Sequence, residues 1–477
     1  MEFDVVIGLE VHSELKTKSK VFCSCKNEFG NEPNTNCCPV CIGLPGALPV
    51  LNKQAVLMAI KAGIACNCEI NDVAIFERKN YFYPDLPKAY QISQLVKPIN
   101  VGGGVEIEDE NGNAKIINLD RIHLEEDAGK LIHSGDGTLV DYNRGGVPLI
   151  EVVSKPEMTS AKEAISFLNN LRSILIYAGI SDCKMEQGGM RCDVNLSLKP
   201  KGSKELGTRS EMKNLNSYKS VSKAIEYEIE RQKDLLENGE KVIQETRRWD
   251  DNKGKSYSMR KKEDSQDYRY FPDPDLLPIK IERELVESIK KSMPKLKADR
   301  VKDYTTNMGL SQYDAEVLTT NPSLTKYFEQ VISYFNKPKF VCNFMLSTVL
   351  KRLNEDGIDA VVPIDAKNFA NLLKNYEDNT ISQASCRALF DEIWTSNEDC
   401  LKIIEKRGLK QNNDAGELKI MLESLINEFP QSVADYLAGN EKTISFFIGQ
   451  LMKRTQGKAN ASVATKLIKE ILEAKRK

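Results

Sequence analysis

Cys23-Ser-Cys25 and Cys38-Pro-Val-Cys41 flank a loop rich in Gly, Asn and Pro. A C-x-C pair and a C-P-x-C pair across a short loop form a four-thiolate zinc pattern, because each pair shares a turn and four sulfurs can converge tetrahedrally. The alternative is four free thiols in a reducing compartment. Cys37 competes for the third position, although the C-P-x-C spacing favours Cys38. The tetrad contains no catalytic partner, so the metal reads as structural. Just upstream, the apolar run VVIGLEV carries Glu10 and leads into His12. Residues two apart on a strand share a face, so a carboxylate and an imidazole point the same way. Such a pair is either a satisfied strand end or part of a metal or phosphate site.

The arrangement repeats. RIHLEEDAGK alternates His123, Glu125 and Asp127 onto one face, and KMEQGGMRCDVNLSL does the same for Arg191, Asp193 and Asn195, with Glu186 just before the turn. Two strands that each present carboxylate and imidazole can hold a hard cation between them. Mg²⁺ prefers oxygen ligands and keeps water, so the imidazoles indicate one mixed site, or one His standing behind a ligand. Three charged strand faces in otherwise apolar alternation point to one shared site. VDYNRGGVPLIE is a polar turn entering an apolar strand that ends in Glu151, and its Arg144 can grip a phosphate bidentately. Glu211, Lys213 and Asn214 fall where a strand meets a helix.

Two further stretches read as binding loops. Arg78 to Gln94 (RKNYFYPDLPKAYQISQ) interleaves cations such as Lys79 with aromatics such as Tyr81, without helical or strand period. Aromatic faces beside Lys or Arg suit an adenine or a tRNA end; the alternative is that the rings cover a core edge. Arg247 to Lys262, which includes Arg260, carries seven Lys/Arg against two Asp, and Tyr268 and Arg269 follow shortly after. A basic loop dotted with aromatics suits the phosphates of ATP or tRNA. A solvated charge run is the alternative, but it leaves Trp249 unexplained. Gly102-Gly103-Gly104 is a turn signal rather than a phosphate loop, since GxxxxGK[ST] occurs nowhere.

The elements that must position these residues follow from length and periodicity. The 477 residues suffice for two to four domains. Mean hydropathy is −0.41, and no apolar run approaches the ~20 residues of a membrane span. The opening lacks the layout of a signal peptide. Twelve clustered cysteines suit a cytosolic metal site better than disulfides, so the expected location is cytoplasmic. A net charge of −2 confines any nucleic-acid surface to a local patch. Helices are expected at 52–62, at 160–178 with a Ser160/Glu163 capping box and a Gly179 stop, and at 217–237. Residues 99–140 read as antiparallel hairpins. From about Pro294 the pattern is helical to the end, with a polar linker or helix entry at 410–417. The last part, Glu441 to Lys477, holds nine Lys/Arg and three Glu, a plausible tRNA arm or a lysine-rich frayed end.

Taken together, the GLEVH opening, FGNEPNTNCCPVCIGLPGALPVLN, RKNYFYPDLPK, RIHLEEDAGK, DYNRGGVPLIE, RCDVN, MKNLNSY, YRYFPDPDL and GQLMKRTQGKAN resemble, in family order, the GatB family, the B subunits of tRNA-dependent amidotransferases. The signature D-x-N-R-x-G-x-P-L-x-E is met at Asp141, Asn143, Arg144, Gly146, Pro148, Leu149 and Glu151. The resemblance implies an α+β fold: an N-terminal antiparallel β cradle with flanking helices (1–293), an all-α helical domain (294–407) and a small helical tail that binds tRNA (408–477). It implies phosphorylation by ATP of the side-chain carboxylate of Glu-tRNA(Gln) or Asp-tRNA(Asn), then displacement of phosphate by ammonia. Such chemistry needs Mg²⁺ and cations more than a nucleophile.

Carried over by motif, Glu10, His12, Glu125 and Glu186 are the expected metal ligands, with Asp193 next. Arg144, Arg191 and Lys79 are expected to meet phosphate or substrate charge, with Glu151 and Glu211 as weaker site candidates. Tyr81, Arg247, Arg260, Tyr268 and Arg269 are the further ATP- or substrate-binding candidates. Some relatives lack the cysteine tetrad, which fits a structural zinc. The Ser-Ser-Lys glutaminase signature is missing, so ammonia is expected from an amidase-type A subunit, with a small C subunit completing a heterotrimer. Rival readings are a non-catalytic tRNA-binding scaffold and an archaeal-type E subunit, although the chain has no room for the latter's inserted domain.

Overall fold

The computed structural model describes residues 2–135, 137–261, 268–357, 361–455 and 458–475, apart from the side chains of Ser134, Arg260 and Lys261. The chain forms two compact units, Met1–Lys297 and Ala298–Lys477, and its fold class is α+β.

The first unit is built on a ten-stranded sheet with Phe3–Glu14 near its middle. Alternation along this strand sends Ile7, Leu9 and Val11 to one face, where each is at most 1% exposed. Gly8, Glu10, His12 and Glu14 go to the other. Pro148–Ser154 and Met190–Pro200 flank it antiparallel, followed outward by Ala114–Glu126 on one side and Ser210–Leu215 on the other. Their apolar residues Leu124, Ile150, Val152, Val194 and Leu196 join the same core. Helices Lys53–Ala65, Ala161–Tyr177 and Tyr218–Glu237 complete it. Each fully buried Leu, Ile or Val contributes about 1.5–3 kcal/mol, so a one-residue slip of any of these strands would expose its apolar set. The helices start where the sequence signals, at Asn52, Ser160 and Ser217 caps.

Two features depart from expectation. The sheet is not wholly antiparallel: the helix Tyr218–Glu237 crosses over, so Glu245–Asp250 runs parallel to Ser210–Leu215. The expected basic loop after Thr246 is a hairpin of Glu245–Asp250 with Lys255–Lys261. Its Trp249 is a core residue, 1% exposed and edge-on to Tyr227. A small three-stranded sheet joins Glu77–Asn80 to Tyr90–Ser93 and Phe271–Pro272.

The second unit is helical throughout its described residues and holds two cores. One gathers Phe328, Phe369 and Phe390 between Tyr304 and Ile404. The other gathers Leu418, Leu422, Phe447, Leu451 and Ile468 from four helices spanning Ala415–Ala474. The polar segment between them is tied down. Gln411 N–H donates to Thr380 O at 2.7 Å, Asn412 N–H donates to Lys458 O at 2.6 Å, and Asp414 caps the next helix.

Candidate active site

The sheet face away from the helices collects the charged residues. Register places Arg191, His12, Glu151 and His123 side by side on four neighbouring strands. Asp193 lies opposite Glu10 in the adjoining row. Glu125 comes from two residues beyond His123. His12 Nε2 is 3.7 Å from Glu125 Oε1 and 3.5 Å from Glu151 Oε2, while His123 Nε2 is 3.5 Å from Glu125 Oε2 and 3.3 Å from Glu151 Oε2. Burial disfavours both imidazolium ions, yet the carboxylates prevail: His12 is raised, and His123 is lifted to about 9. Glu151 falls well below its usual range because His123 and His12 outweigh its own burial.

One atom from each of His12, Glu125 and Glu151 lies within 4.8 Å of the others, and Glu10, Asp193 and Glu211 form a second such group. Asn195 donates to Glu10 Oε1 at 2.9 Å, and Thr246 Oγ1 donates to Glu211 Oε2 at 2.7 Å. Lys213 bridges Asp193 and Glu211. Burial and then Glu151 raise the Glu10 carboxyl. Oxygen-rich donor sets of this kind fit a hard divalent cation, and His123 adds a buried Nδ1 without a hydrogen-bond partner.

Lys79 feels the Glu125 carboxylate. Its ammonium lies 4.9 Å from the Tyr268 ring centre and 5.9 Å from that of Tyr81. Burial opposes its charge, but Glu125 first and then neighbouring groups raise it. Ser93 donates to Glu125 Oε2 at 3.0 Å. Tyr270 completes the aromatic wall, 6.2 Å from Tyr268. Arg269 is exposed with a left-handed backbone, φ +44°. At the other end of the His12 row, Arg191 Nη2 donates to Asp127 Oδ2 at 2.6 Å. Arg144 Nε lies 3.5 Å from the same oxygen, and its Nη2 donates to Gly129 O at 2.8 Å. Both arginines line a cavity of about 560 Å³ with Glu14 and Glu186.

The structure therefore brings together Glu10, His12, Glu125, Glu151, Arg191, Asp193 and Glu211, with Lys79, Tyr81 and Tyr268 overhead. Glu186 joins neither carboxylate group: it is exposed on the short turn Met185–Gln187, where the chain leaves the sheet before Met190, and lines the Arg144/Arg191 cavity instead. Arg247, expected at a phosphate, is instead buried against Glu245 and Glu228, because strand alternation points it inward toward the crossover helix. The side chain of Arg260 lies outside the described residues. Sequence reading missed His123 as a direct neighbour of Glu151, it missed Ser93 and Tyr270, and it placed Lys213 beside Glu211 without assigning it a partner. The alternation of His123 with Glu125 was the available signal for the first. The others needed strand pairing.

The sulfurs of Cys23, Cys25, Cys38 and Cys41 converge within 4.8 Å. Cys37 turns away and donates to Asn34 O at 3.3 Å. The fully buried Lys20 ammonium lies 3.7 Å from Cys41 Sγ. The Cys41 thiol is held down to about 4, first by its bond with Cys23 and then by the Cys38 N–H and Lys20. Four thiols and one buried cation fit a tetrahedral zinc with excess negative charge.

A family model described as the GatB/GatE catalytic domain matches residues 5–287, and one described as the GatB domain matches 326–472. The chain belongs to the GatB family. It is similar to the B subunit of the aspartyl/glutamyl-tRNA(Asn/Gln) amidotransferase of Persephonella marina, with 48% identity over 475 residues, 99% of this chain and 100% of the relative. The corresponding protein of Caldanaerobacter subterraneus is 49% identical over 475 residues, with the same coverage. That of Lachnoclostridium phytofermentans is 49% identical over 473 residues, 98% of this chain and 99% of the relative. The charged sheet face lies wholly within the matched catalytic domain, and family membership makes the chain an amidotransferase component, an enzyme of the carbon–nitrogen ligase class. Among the described residues, no helix is long and apolar enough to cross a membrane.

Proposed function

We propose that this chain activates the side-chain carboxylate of glutamyl-tRNA(Gln), aspartyl-tRNA(Asn) or both, on the sheet face that holds His12, Glu125 and Glu151. A carboxylate is a poor acceptor for ammonia at neutral pH. One carboxylate oxygen attacks the γ-phosphorus of ATP and ADP departs, leaving an acyl phosphate. Ammonia then adds at the acyl carbon, phosphate leaves with the bonding pair, and one proton is lost to give the amide. A divalent cation held by His12, Glu125, Glu151 and the Glu10/Asp193/Glu211 group would neutralise charge on the transferring phosphoryl group.

The chain's own groups do the rest. Lys79 is fixed over Glu125 by an aromatic wall and supplies positive charge where the oxyanion develops. Arg144 and Arg191, both anchored on Asp127, offer their remaining N–H groups to an anionic substrate. His123 holds Glu151 between two imidazoles and so orients it. The carrying observation is this pairing of two His and two Glu on a sheet face that gathers charge while its reverse packs most of the apolar core.

The ammonia source is a partner glutaminase chain in a cytoplasmic heterotrimer, since this sequence carries no glutaminase signature. The cysteine tetrad holds a structural zinc, and the basic helical tail contacts tRNA. The test is phosphate release from ATP by the assembled complex, with ammonium and Glu-tRNA(Gln) or Asp-tRNA(Asn). Release that requires misacylated tRNA and drops at least 100-fold in Glu125→Ala supports the kinase reading. Unchanged release in that variant would leave a tRNA-binding scaffold.

A further inference from the structure

We infer that the buried Lys20 is a positioning residue that ties the cysteine tetrad to the turn 141–144, so that a metal on the four sulfurs also fixes where Arg144 stands. This coupling rests on the reading above of a zinc at the tetrad and an anionic substrate at Arg144.

A lysine without exposed surface must satisfy its charge and three N–H donors with no help from water. Lys20 is 0% exposed. Its ammonium donates to Asn36 O at 2.9 Å, to Tyr142 O at 3.4 Å and to Cys41 Sγ at 3.7 Å. Three donors meet three acceptors on three segments. Two acceptors are neutral carbonyls, and the sulfur alone carries the opposite charge. The bond to Tyr142 leaves the cysteine loop altogether and reaches the turn that bears Arg144. Closing the tetrad on a metal would hold the Cys41 sulfur from three further sides, and Lys20 passes that constraint to Tyr142.

The two segments are stitched together beyond Lys20. Asn34 has a left-handed φ of +59°. Its N–H donates to Asp141 Oδ1 at 3.0 Å, its side-chain amide donates to Val140 O at 2.9 Å, and its Oδ1 accepts the Tyr142 N–H at 2.8 Å. Asn36 N–H donates to Asn143 Oδ1 at 2.8 Å, and Asn143 Nδ2 donates to Glu32 O at 2.7 Å. On the far side of Arg144, Val21 N–H donates to Gly146 O at 2.9 Å. A Cβ on Gly146 would lie 3.5 Å from Cys41 Cβ and 3.6 Å from Lys20 Cδ, so the chain passes in contact with both. Arg144 is thus held on either side by residues bonded to the cysteine loop. Its guanidinium lies across Ala128 O and Gly129 O, at 3.0 and 2.8 Å. An arginine that must present its remaining N–H groups to an anion gains from such a frame, because its direction is set before the substrate arrives.

The experiment withdraws zinc from the assembled complex with a chelator, follows amide hydrogen exchange by mass spectrometry, and measures KM for ATP and for misacylated tRNA. Exchange in the segment 140–147 should rise about tenfold or more together with that of the cysteine loop, while the strand Met190–Pro200 keeps its protection. Arg144→Ala identifies the substrate this arginine meets by the KM that it raises. Zinc withdrawal should raise that same KM about fivefold in wild type and add less than about twofold in Arg144→Ala, as expected of two changes acting through one group. Lys20→Met keeps the buried stem without the charge. It should surrender zinc to the chelator about tenfold faster and raise exchange at 140–147. If that variant fails to fold, the wild-type chelation series still decides.

Exchange that rises in the cysteine loop and stays unchanged at 140–147 would overturn the coupling, leaving a knuckle that stabilises only itself. A KM effect of zinc withdrawal that is as large in Arg144→Ala as in wild type would also overturn it, since the metal would then act elsewhere. Wild-type zinc release and exchange in Lys20→Met would remove Lys20 from the coupling. Unchanged KM values in Arg144→Ala would remove the anionic-substrate reading of Arg144, and the exchange result would then decide the structural tie alone. A complex that purifies without zinc and with 140–147 fully protected would remove both.

Discussion

His123 lies directly opposite Glu151 on the neighbouring strand, its Nε2 3.3 Å from Glu151 Oε2, and the same oxygen is 3.5 Å from His12 Nε2 on the strand beyond. One carboxylate thus stands between two imidazoles, all buried or half-buried. The pairing holds His123 at about 9 against an ordinary 6.5. A group raised on folding stabilises the fold fully below its unfolded value and loses that contribution as pH rises through the folded one. The metal-free chain should therefore lose thermal stability between about pH 6.5 and 9. His123→Gln should flatten that slope. A melting series at fixed ionic strength checks it, and equal slopes in both proteins would contradict the pairing.

The cysteine geometry predicts one tightly held zinc. Cys38→Ser should release it, while Cys37→Ser should keep it, because only Cys38 joins the convergent sulfurs. Metal content by atomic emission, with thiol titration before and after chelation, distinguishes the two. Zinc lost from Cys37→Ser and kept in Cys38→Ser would reverse the assignment.

Arg247 should behave as a structural residue. Its guanidinium meets Glu245 and lies 3.7 Å from the fully buried Glu228 carboxylate, which Arg231 also holds, so Arg247→Ala weakens a buried ion-pair network at a cost of about 1–3 kcal/mol. Denaturant melts should show that loss in the first unit. KM for ATP, measured below the melting range, should stay within about twofold, whereas a phosphate-binding role would raise it tenfold or more.

Ammonia supply gives a fourth prediction. Complex lacking the amidase-type partner should form no amide from glutamine yet retain amide formation from ammonium. Full glutamine-dependent activity by this chain alone would refute the division of labour.

The individual strands and helices were legible because periodicity is local. Glu10 with His12, His123 with Glu125, and Arg191 with Asp193 follow from the two-residue repeat of a strand. The caps at Ser160 and Ser217 follow from side-chain chemistry at helix starts. The cysteine pairs likewise announce themselves by spacing, and the ordered motifs carry family membership. What strand parity cannot state is which strands are neighbours and in what register. The His123–Glu151 contact joins segments whose adjacency depends on sheet order, and it is set by packing of the apolar reverse face. Glu186 reads as a ligand by motif, yet the chain turns off the sheet beneath it. Arg247 reads as a free cation in a basic run, yet alternation in a hairpin invisible to composition drives it inward onto Glu228. Residue type and period are properties of the chain itself. Register, burial and the partner of each charge arise only when distant segments close one core together.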